Sequence, residues 1–287
     1  MLEVVINVSE GKDLTWLKAL ATSAVGCADL HTDEDHHRSV LTIVGPAPDL
    51  LDTVVEIGRR AVADLNLTTH EGVHPRVGVI DVVPFVPIGT STMVDAIKAR
   101  DAAAERLASE LGLPCFLYGP IGPTTTPHYV ERTLPELRRD AFTPILPDVG
   151  PSTGHPTAGA VAVGARGLLV AWNIWLDGVD LRHTRRISSA LRNAAVRTLG
   201  FEVRGGTQIS FNLVDPTMVT PNTVFDETCR LLRSEGFDES VIKRCELVGL
   251  VPQACLDKIP EDRWELLDLS NDRTIESSAQ RLGITVS

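Results

Sequence analysis

Apolar residues in the first part of the chain follow two spacings, one typical of buried strands and one typical of amphipathic helices. Runs of β-branched and apolar residues at 4–8 and 38–44 predict buried strands, and a weaker run lies at 26–31. Apolar residues that recur every three or four positions predict two helices, one beginning at Asp13 and one following the strand at 38–44. A further apolar run at 77–83 predicts another strand, so the order of this part is βαββαβ.

The middle of the chain contains one more helix, one more strand and a long loop. Ser91 and Thr92 begin a helix whose apolar positions share one side, and Gly112 ends it. A strand is predicted at 114–118. Residues 119–158 are rich in glycine and proline, and ordered loops of this length are more often functional than decorative.

The second half of the chain repeats the element order of the first. Its predicted elements are a strand at 168–176, a helix over 180–199 ended by Gly200, strands at 201–204 and 207–214 joined by a Gly205-Gly206 hairpin turn, a helix over 220–236, a strand at 245–251 and a final helix over 274–282. Two such halves predict an α+β protein built from two stacked ferredoxin-like (βαββαβ) subdomains. A ligand is expected in the cleft between them.

Composition and charge narrow the classes of function. The chain has 287 residues, 43% of them hydrophobic and 23% charged, which is typical of a globular protein. The formal net charge of -11 argues against a nucleic-acid or anionic-membrane partner. The most apolar region, 159–176, is interrupted by Arg166 and Asn173, so we expect no membrane span. Five scattered cysteines without a C-x-x-C pair, and no signal peptide, predict a reduced, cytoplasmic protein.

The densest group of reactive side chains lies at residues 70–78, directly before an apolar strand. It holds the imidazoles of His70 and His74, a carboxylate and the guanidinium of Arg76. Pro75 disfavours a helical conformation for His74, and an imidazole titrates near neutral pH, which suits it to proton transfer. An isolated His-Pro pair is as often an ordinary loop segment. The surrounding glycine, charge and proline favour a functional site.

Blocks of sequence spread over nearly the whole chain resemble one known family. The most specific block is His-x-Gly-x-His-Pro-Arg-x-Gly-x-x-Asp-Val-x-Pro-Phe-x-Pro at 70–87. The others lie at 7–11, 147–152, 164–166, 173–176, 208–213, 227–230 and 247–252. Together they resemble the glutamate formiminotransferase (formimidoyltransferase) family. We expect the single-function form, because no counterpart of the cyclodeaminase domain of the bifunctional animal enzyme follows.

This resemblance implies a domain organisation, a reaction and a set of residues. It implies an N-terminal subdomain at 1–167, a C-terminal subdomain at 168–287, folate in a tunnel between them, and a homodimer. It implies transfer of a formimino group from N-formimino-L-glutamate to tetrahydrofolate, giving 5-formimino-tetrahydrofolate and L-glutamate, in histidine degradation. His74 is implied as the catalytic histidine. The implied folate-binding loop consists of Gly150, Pro151, Ser152, Thr153, Gly154, His155, Pro156, Thr157, Ala158 and Gly159.

The implied reaction needs proton transfer and cations. Amidine transfer passes through a tetrahedral carbon, and one histidine can take the proton of the attacking N5 and return it to the departing nitrogen. The substrates carry several carboxylates, so Arg38, Arg76 and Arg166 are candidate clamps, although a structural role is as frequent for each alone. His31 stands where the family usually has a carboxylate. We therefore expect His31 to assist His74 or to contact the substrate.

Three other functions remain open at this stage. Sequence cannot separate folate-dependent formyl transfer to or from glutamate from formimino transfer, and a folate-binding protein without catalysis is also compatible. A metal-dependent hydrolase is the third, because an acidic and histidine-rich set could bind a divalent ion. No H-E-x-x-H or H-x-H pair occurs, so we predict no metal. The set comprises His31, Asp33, Asp35, His36, His37, His70 and His74.

Overall fold

The computed structural model describes residues 1–121 and 130–286. These ranges form two sheets and eight α-helices, which confirms the predicted α+β class. The chain divides into two compact units. The first is Met1–Gly167 together with the residues from Leu282 onward, and the second is Leu168–Arg281. Residues 122–129, part of the predicted loop 119–158, lie outside the described ranges.

The first unit contains seven strands and four helices within the described residues. In order they are β1 (Leu2–Val8), α1 (Leu14–Ser23), β2 (Cys27–Asp33), β3 (Arg38–Gly45), α2 (Ala47–Asp64), β4 (Ile80–Pro87), α3 (Met93–Leu111), β5 (Cys115–Ile121), β6 (Val130–Arg132), α4 (Leu134–Asp140) and β7 (Val161–Ala165). β6 and α4 interrupt the predicted loop 119–158, so that prediction is wrong for 130–140. Thr133 begins α4 with a side-chain bond to the N–H of Glu136, a capping box that the sequence already contains.

The sheet of the first unit is antiparallel on one side and parallel in its middle. Its strand order is β2-β3-β1-β4-β7-β5-β6. The antiparallel part, β2-β3-β1-β4, has the predicted βαββαβ element order. β7 pairs in parallel with both β4 and β5. The crossover through α3 leaves room for one strand between β4 and β5, and β7 fills it.

Helices α2 and α3 cover the first sheet and contact each other. α3 follows the sequence signals closely, since the Thr92 hydroxyl caps its N-terminus and Gly112, at φ 65°, ends it. β4 is almost wholly buried, with Phe85 at its centre. It begins at Ile80, so residues 70–79 lie before the strand and not within it.

The second unit contains a four-stranded antiparallel sheet. Its elements are β8 (Val170–Leu176), α5 (Leu181–Ala190), β9 (Val196–Val203), β10 (Gly206–Leu213), α6 (Pro221–Ser234), β11 (Ile242–Val248), α7 (Gln253–Leu256) and α8 (Ile275–Arg281). The strand order is β11-β8-β10-β9, and α5 packs against strands β9 and β10. Trp172, Ile209 and Phe211 form the centre of its core. The predicted hairpin turn at Gly205 connects β9 to β10.

The predicted helix over 180–199 is wrong in its second half. α5 ends at Ala190, and β9 begins at Val196. From Val196 to Leu199 the residues alternate between buried and exposed, which is the period of a strand and not of a helix. The side chain of Asn193 accepts the N–H of Ala195 at 2.8 Å, and this local bond competes with helix continuation.

No helix in the described part of the chain is long and apolar enough to cross a membrane.

Candidate active site

Residues 70–79 form an irregular segment with several bends, and its C-terminal end is tied to the first unit. The hydroxyl of Ser9 donates to the carbonyl of Gly78 at 2.8 Å, and its N–H donates to the carbonyl of Val79 at 2.8 Å. The N–H of Val77 donates to the carboxylate of Asp81 at 2.7 Å. The segment is therefore held in place directly before β4.

The end of the glycine-rich loop lies beside this segment. The N–H of Val79 donates to the carbonyl of Ala158 at 2.9 Å, and the N–H of Ala160 donates to the carbonyl of Val77 at 2.9 Å. Gly78 and Gly159 face each other between these bonds. The structure thus brings together two segments that the sequence singled out separately, 70–78 and 155–159.

The rest of the glycine-rich loop is on the surface. Residues 150–154 are exposed, whereas 155–159 form a tight turn in which His155 and Gly159 exchange backbone bonds of 2.7 and 3.0 Å. Nδ1 of His155 accepts the N–H of Ala158 at 3.1 Å. In the neutral imidazole the proton is then on Nε2, so His155 can donate one hydrogen bond from that atom.

His74 has a defined tautomer because its two ring nitrogens have different partners. Nδ1 lies 2.7 Å from the carbonyl oxygen of Pro75, which can only accept, so Nδ1 carries the proton. Nη1 of Arg38 lies 2.9 Å from Nε2 and 3.1 Å from Nδ1. Since a guanidinium can only donate, Nε2 is its acceptor. The imidazole of His74 is neutral, with its basic nitrogen directed at Arg38.

The surroundings of His74 favour this neutral form. Burial lowers the pKa of His74 most, and the positive charges of Arg38 and Arg138, followed by His36, lower it further, well below the ordinary value of a histidine. Burial also lowers the pKa of Arg38 to about 10, which leaves Arg38 a cation at neutral pH. His74 is consequently available as a proton acceptor throughout the neutral range.

A buried carboxylate balances part of this positive charge. Asp81 on β4 is fully buried, and Oδ2 accepts from Nη2 of Arg138 at 2.7 Å. Arg138 belongs to α4 and is not among the residues predicted from the sequence. A signal for it exists, because a lone aspartate in the apolar run 79–83 needs a buried partner. The sequence does not indicate which cation that partner is.

Arg76 binds backbone carbonyls of the first unit. Its guanidinium donates to the carbonyl of His36 at 2.9 Å, to that of His37 at 3.2 Å and to that of His74 at 2.9 Å, and it also contacts the ring of His70. These bonds tie the His74 segment to the turn between β2 and β3. The role of Arg76 as a carboxylate clamp remains a prediction. The observed contacts are structural, because they hold two backbone segments together.

The turn between β2 and β3 contributes a second histidine at the site. His36 is 7% exposed, and its ring meets the ring of His74 edge-on, with centroids 5.8 Å apart and an interplanar angle of 86°. Nδ1 of His36 lies 2.7 Å from the carboxylate of Asp33. The sequence places both residues in the possible metal set but gives them no part in the site of His74. His31, the predicted assistant, pairs in register with Val40, and its charge acts on Asp33.

The residues that the structure describes contain no set of side chains arranged to bind a metal ion. Over 1–121 and 130–286, no group of three or more histidine, cysteine, aspartate or glutamate side chains is arranged to hold a metal ion. Four histidines of the candidate set contact carboxylates, arginines or carbonyls instead: His36, His37, His70 and His74. His37, for example, lies between Glu10 at 3.2 Å and the carbonyl of Glu71 at 2.7 Å.

Replacing Asp81 by alanine is expected to lower the free energy of unfolding by about 3 kcal/mol, because Arg138 loses its buried partner and the Val77 N–H loses its acceptor. Asp81→Asn retains an oxygen for the Val77 N–H and is expected to lower it less. Urea unfolding of the three proteins, followed by circular dichroism, measures both differences. Equal stability of the alanine variant and the wild type is the contradicting result.

Residues 1–166 match the model of a protein family described as "Formiminotransferase domain, N-terminal subdomain". The chain belongs to the formiminotransferase family. It is 29% identical to a glutamate formimidoyltransferase of Streptococcus pyogenes over 96% of this chain and 97% of that protein. It is 27% identical to one of Thermoplasma acidophilum over 98% of both chains. Family membership agrees with the resemblance carried by the block at 70–87.

The relation to the larger animal proteins of the family is partial. The chain is 32% identical to the formimidoyltransferase-cyclodeaminase of Sus scrofa over 99% of its own length. It spans 57% of that relative. With the bacterial and archaeal formimidoyltransferases, by contrast, the similarity extends over nearly the whole of both chains.

Proposed function

We propose that the protein transfers the formimino group of N-formimino-L-glutamate to N5 of tetrahydrofolate, giving 5-formimino-tetrahydrofolate and L-glutamate, in histidine degradation. The observation that carries this proposal is the neutral, partly buried His74 in the family's most specific block. The match of nearly the whole chain to proteins named glutamate formimidoyltransferase supports it. Tetrahydrofolate acts as a co-substrate.

His74 has the properties that the proton transfers of this reaction need. N5 loses a proton when it attacks the formimino carbon, and the glutamate nitrogen gains one when its bond to that carbon breaks. Nε2 of His74 takes the first proton and supplies the second, so the histidine ends as it began. Arg38 donates to the same nitrogen at 2.9 Å, so Arg38 gives up this contact when Nε2 takes the proton. The proton on Nδ1 stays with the carbonyl of Pro75.

Positive charge around His74 suits substrates that carry carboxylates. Arg38, Arg76 and Arg138 act on one another electrostatically. The charge of Asp81 opposes that of Arg38 and Arg76, and the charge of Asp33 also opposes that of Arg38. Nε of Arg138 is buried and has no hydrogen-bond partner among the described residues. We propose Arg38 as the main carboxylate contact, assisted by Arg138, with Arg76 and His31 keeping their predicted substrate-binding roles. Guanidinium groups bind carboxylates with paired N–H donors.

The folate is proposed to contact residues 150–159, whose last five residues lie beside the His74 segment. Considered by itself, the second unit contains a buried amide that has no partner in the described ranges. Gln208 on β10 is fully buried, and neither atom of its amide has a hydrogen-bond partner in the described ranges. It pairs in register with Trp175 and Phe201, both aromatic. A buried amide whose cross-strand neighbours are aromatic suits a flat heterocycle that both donates and accepts hydrogen bonds.

The remaining assignments are proposed on family membership. We propose that 1–167 and 168–287 are the N- and C-terminal formiminotransferase subdomains, a division supported by the family match over 1–166. We propose a homodimer located in the cytoplasm that does not bind nucleic acid. Sedimentation velocity tests the proposed homodimer, and a single species at the mass of one chain contradicts it.

The function is tested by incubating the purified protein with N-formimino-L-glutamate and tetrahydrofolate and measuring 5-formimino-tetrahydrofolate by mass spectrometry. Turnover supports the proposal. Turnover with N-formylglutamate but not with N-formimino-L-glutamate supports the formyl-transfer alternative. Protein that binds tetrahydrofolate in calorimetry but turns over neither donor supports the binding-protein alternative.

The acidic limb of the pH profile of kcat/KM is expected below pH 6.5, the ordinary pKa of histidine. The sign follows from the environment of His74, because burial and neighbouring cations lower its pKa and the reactive form is the neutral one. Activity is therefore retained as the pH falls through the range in which an unperturbed histidine gains its proton. Initial rates in buffers of constant ionic strength measure the limb, and a limb at or above the ordinary histidine value contradicts the expectation.

A further inference from the structure

The turn between β2 and β3 places a histidine–carboxylate pair against His74. One oxygen of Asp33 accepts the N–H of His36 at 2.8 Å, and the other lies 2.7 Å from Nδ1 of its ring. Both bonds come from one carboxylate to one residue, so the ring of His36 is held with little rotational freedom. The side chains of the two residues are 9% and 13% exposed, so water screens the pair only weakly.

We propose that Asp33 and His36 are a positioning pair, in which Asp33 fixes the ring of His36 and the ring of His36 sets the orientation and the proton affinity of His74. The part of this proposal that concerns catalysis rests on the proposed function. The geometry is an edge-on contact at 5.8 Å and 86°, the arrangement that neighbouring rings prefer. Because Asp33 holds one edge of His36, the ring of His74 packs against a fixed surface.

The pair also acts on His74 through charge. The charged groups that act most on His74 are Arg38 from β3, Arg138 from α4 and His36 from the turn. The charge of His36 acts on His74 in the same sense as the charges of the two arginines, and so favours the neutral base. Asp33 keeps its negative charge despite burial, because burial raises its pKa but the hydrogen bond and the charge of His36 lower it by more. His31 adds to this lowering of the pKa of Asp33, which connects it to the same pair.

An adjacent pair in the same turn provides a matched control. His37 contacts the carboxylate of Glu10 at 3.2 Å, but its ring stacks on His70, with centroids 4.1 Å apart. Each of the two histidines thus contacts a carboxylate, but of the two only His36 packs its ring against His74. His37 has φ 47°, a conformation that asparagine adopts more easily than most residues. His37→Asn therefore removes a neighbouring imidazole with little strain on the backbone.

Three variants (His36→Phe, Asp33→Asn and the control His37→Asn) and two measurements test the proposal. His36→Phe keeps a ring against His74 but removes its charge and its bond to Asp33. Asp33→Asn keeps an oxygen for the N–H of His36 but removes the negative charge. The first measurement is the titration midpoint of His74, from ¹⁵N spectra of histidine-labelled protein in which His74→Gln identifies the resonance. The second is kcat and KM for formimino transfer.

His36→Phe is expected to raise the titration midpoint of His74 by roughly half to two pH units, the effect of one charge at ~6 Å in a medium between protein and water. It is expected to lower kcat ~10-fold with little change in KM, because the substrate still binds but the base is misplaced. Asp33→Asn is also expected to lower kcat, but by a smaller factor than His36→Phe. His37→Asn leaves the His74 midpoint at its wild-type value.

An unchanged midpoint and an unchanged kcat in folded His36→Phe overturn the proposal, and so does a midpoint shift of equal size in His37→Asn. If His36→Phe does not fold, an unchanged kcat in Asp33→Asn overturns it. A wild-type protein that turns over no donor contradicts the proposed function and not the pair, because the midpoint of His74 is measured without turnover.

Discussion

Replacing His74 by glutamine is expected to lower kcat for formimino transfer by roughly 10²- to 10⁴-fold, the usual contribution of a positioned general acid–base. Glutamine has similar length and can still bond the carbonyl of Pro75, so the loop around it should keep its course. It cannot take a proton from the attacking nitrogen at neutral pH. Steady-state rates together with calorimetric titration of tetrahydrofolate separate this loss of chemistry from a loss of binding, and we expect the affinity to be retained.

A histidine outside the site is the control for this variant. His183 lies in the first turn of α5, with Nδ1 3.0 Å from the carboxylate of Asp180. His183→Gln is expected to leave kcat unchanged. A His74→Gln protein whose kcat stays within a few-fold of the wild-type value contradicts the proposed role of His74 and supports its being an ordinary polar loop residue.

Replacing Gly78 by alanine is expected to lower the free energy of unfolding by about 3 kcal/mol or more, because the added methyl group has no space. A Cβ at Gly78 would lie 1.9 Å from the carbonyl oxygen of Ala160 and 2.8 Å from that of Ala158. Both atoms belong to the backbone, so no side chain can rotate away. The backbone at Ala158 and Ala160 must move instead, and it is hydrogen-bonded to the His74 segment. Urea unfolding measures the loss, and kcat should fall with it.

Gly167 provides the matched control for this steric effect. A Cβ at Gly167 meets no atom within 4 Å. Gly167→Ala is therefore expected to leave the urea midpoint near its wild-type value. Equal midpoints for the two alanine variants would mean that the approach between residues 78 and 160 is looser than the structure indicates.

Local patterns were sufficient for most of the fold. The helix α3 begins with a threonine cap and ends at Gly112, and both signals are visible in the sequence because they depend only on neighbouring residues. The error at 180–199 has the opposite origin. Apolar residues at 191, 194, 195 and 199 fit a helical spacing, but Val196 and Thr198 are buried as parts of β9. Pairing with β10, a contact that local pattern does not contain, decided between the two.

The same distinction applies to the candidate site. His74, Arg38 and the glycine-rich loop could be singled out because each lies in a block of unusual composition or of family resemblance. Arg138 could not, since it is an ordinary arginine on a short helix until Asp81 is seen beside it. The contact between His36 and His74 depends on how a turn folds back over a segment more than thirty residues later.

The amino-acid sequence alone was sufficient to predict the α+β class, the two runs of βαββαβ order, the family and the histidine on which the proposed chemistry depends. These follow from periodicity, caps and motifs, which act over a few residues. The folded structure was needed to show that β7 enters the first sheet in parallel, that Arg76 binds backbone carbonyls, and that His74 is neutral beside two arginines. Such features come from groups distant in the chain, and burial makes their charges and hydrogen bonds strong enough to set the state of the site.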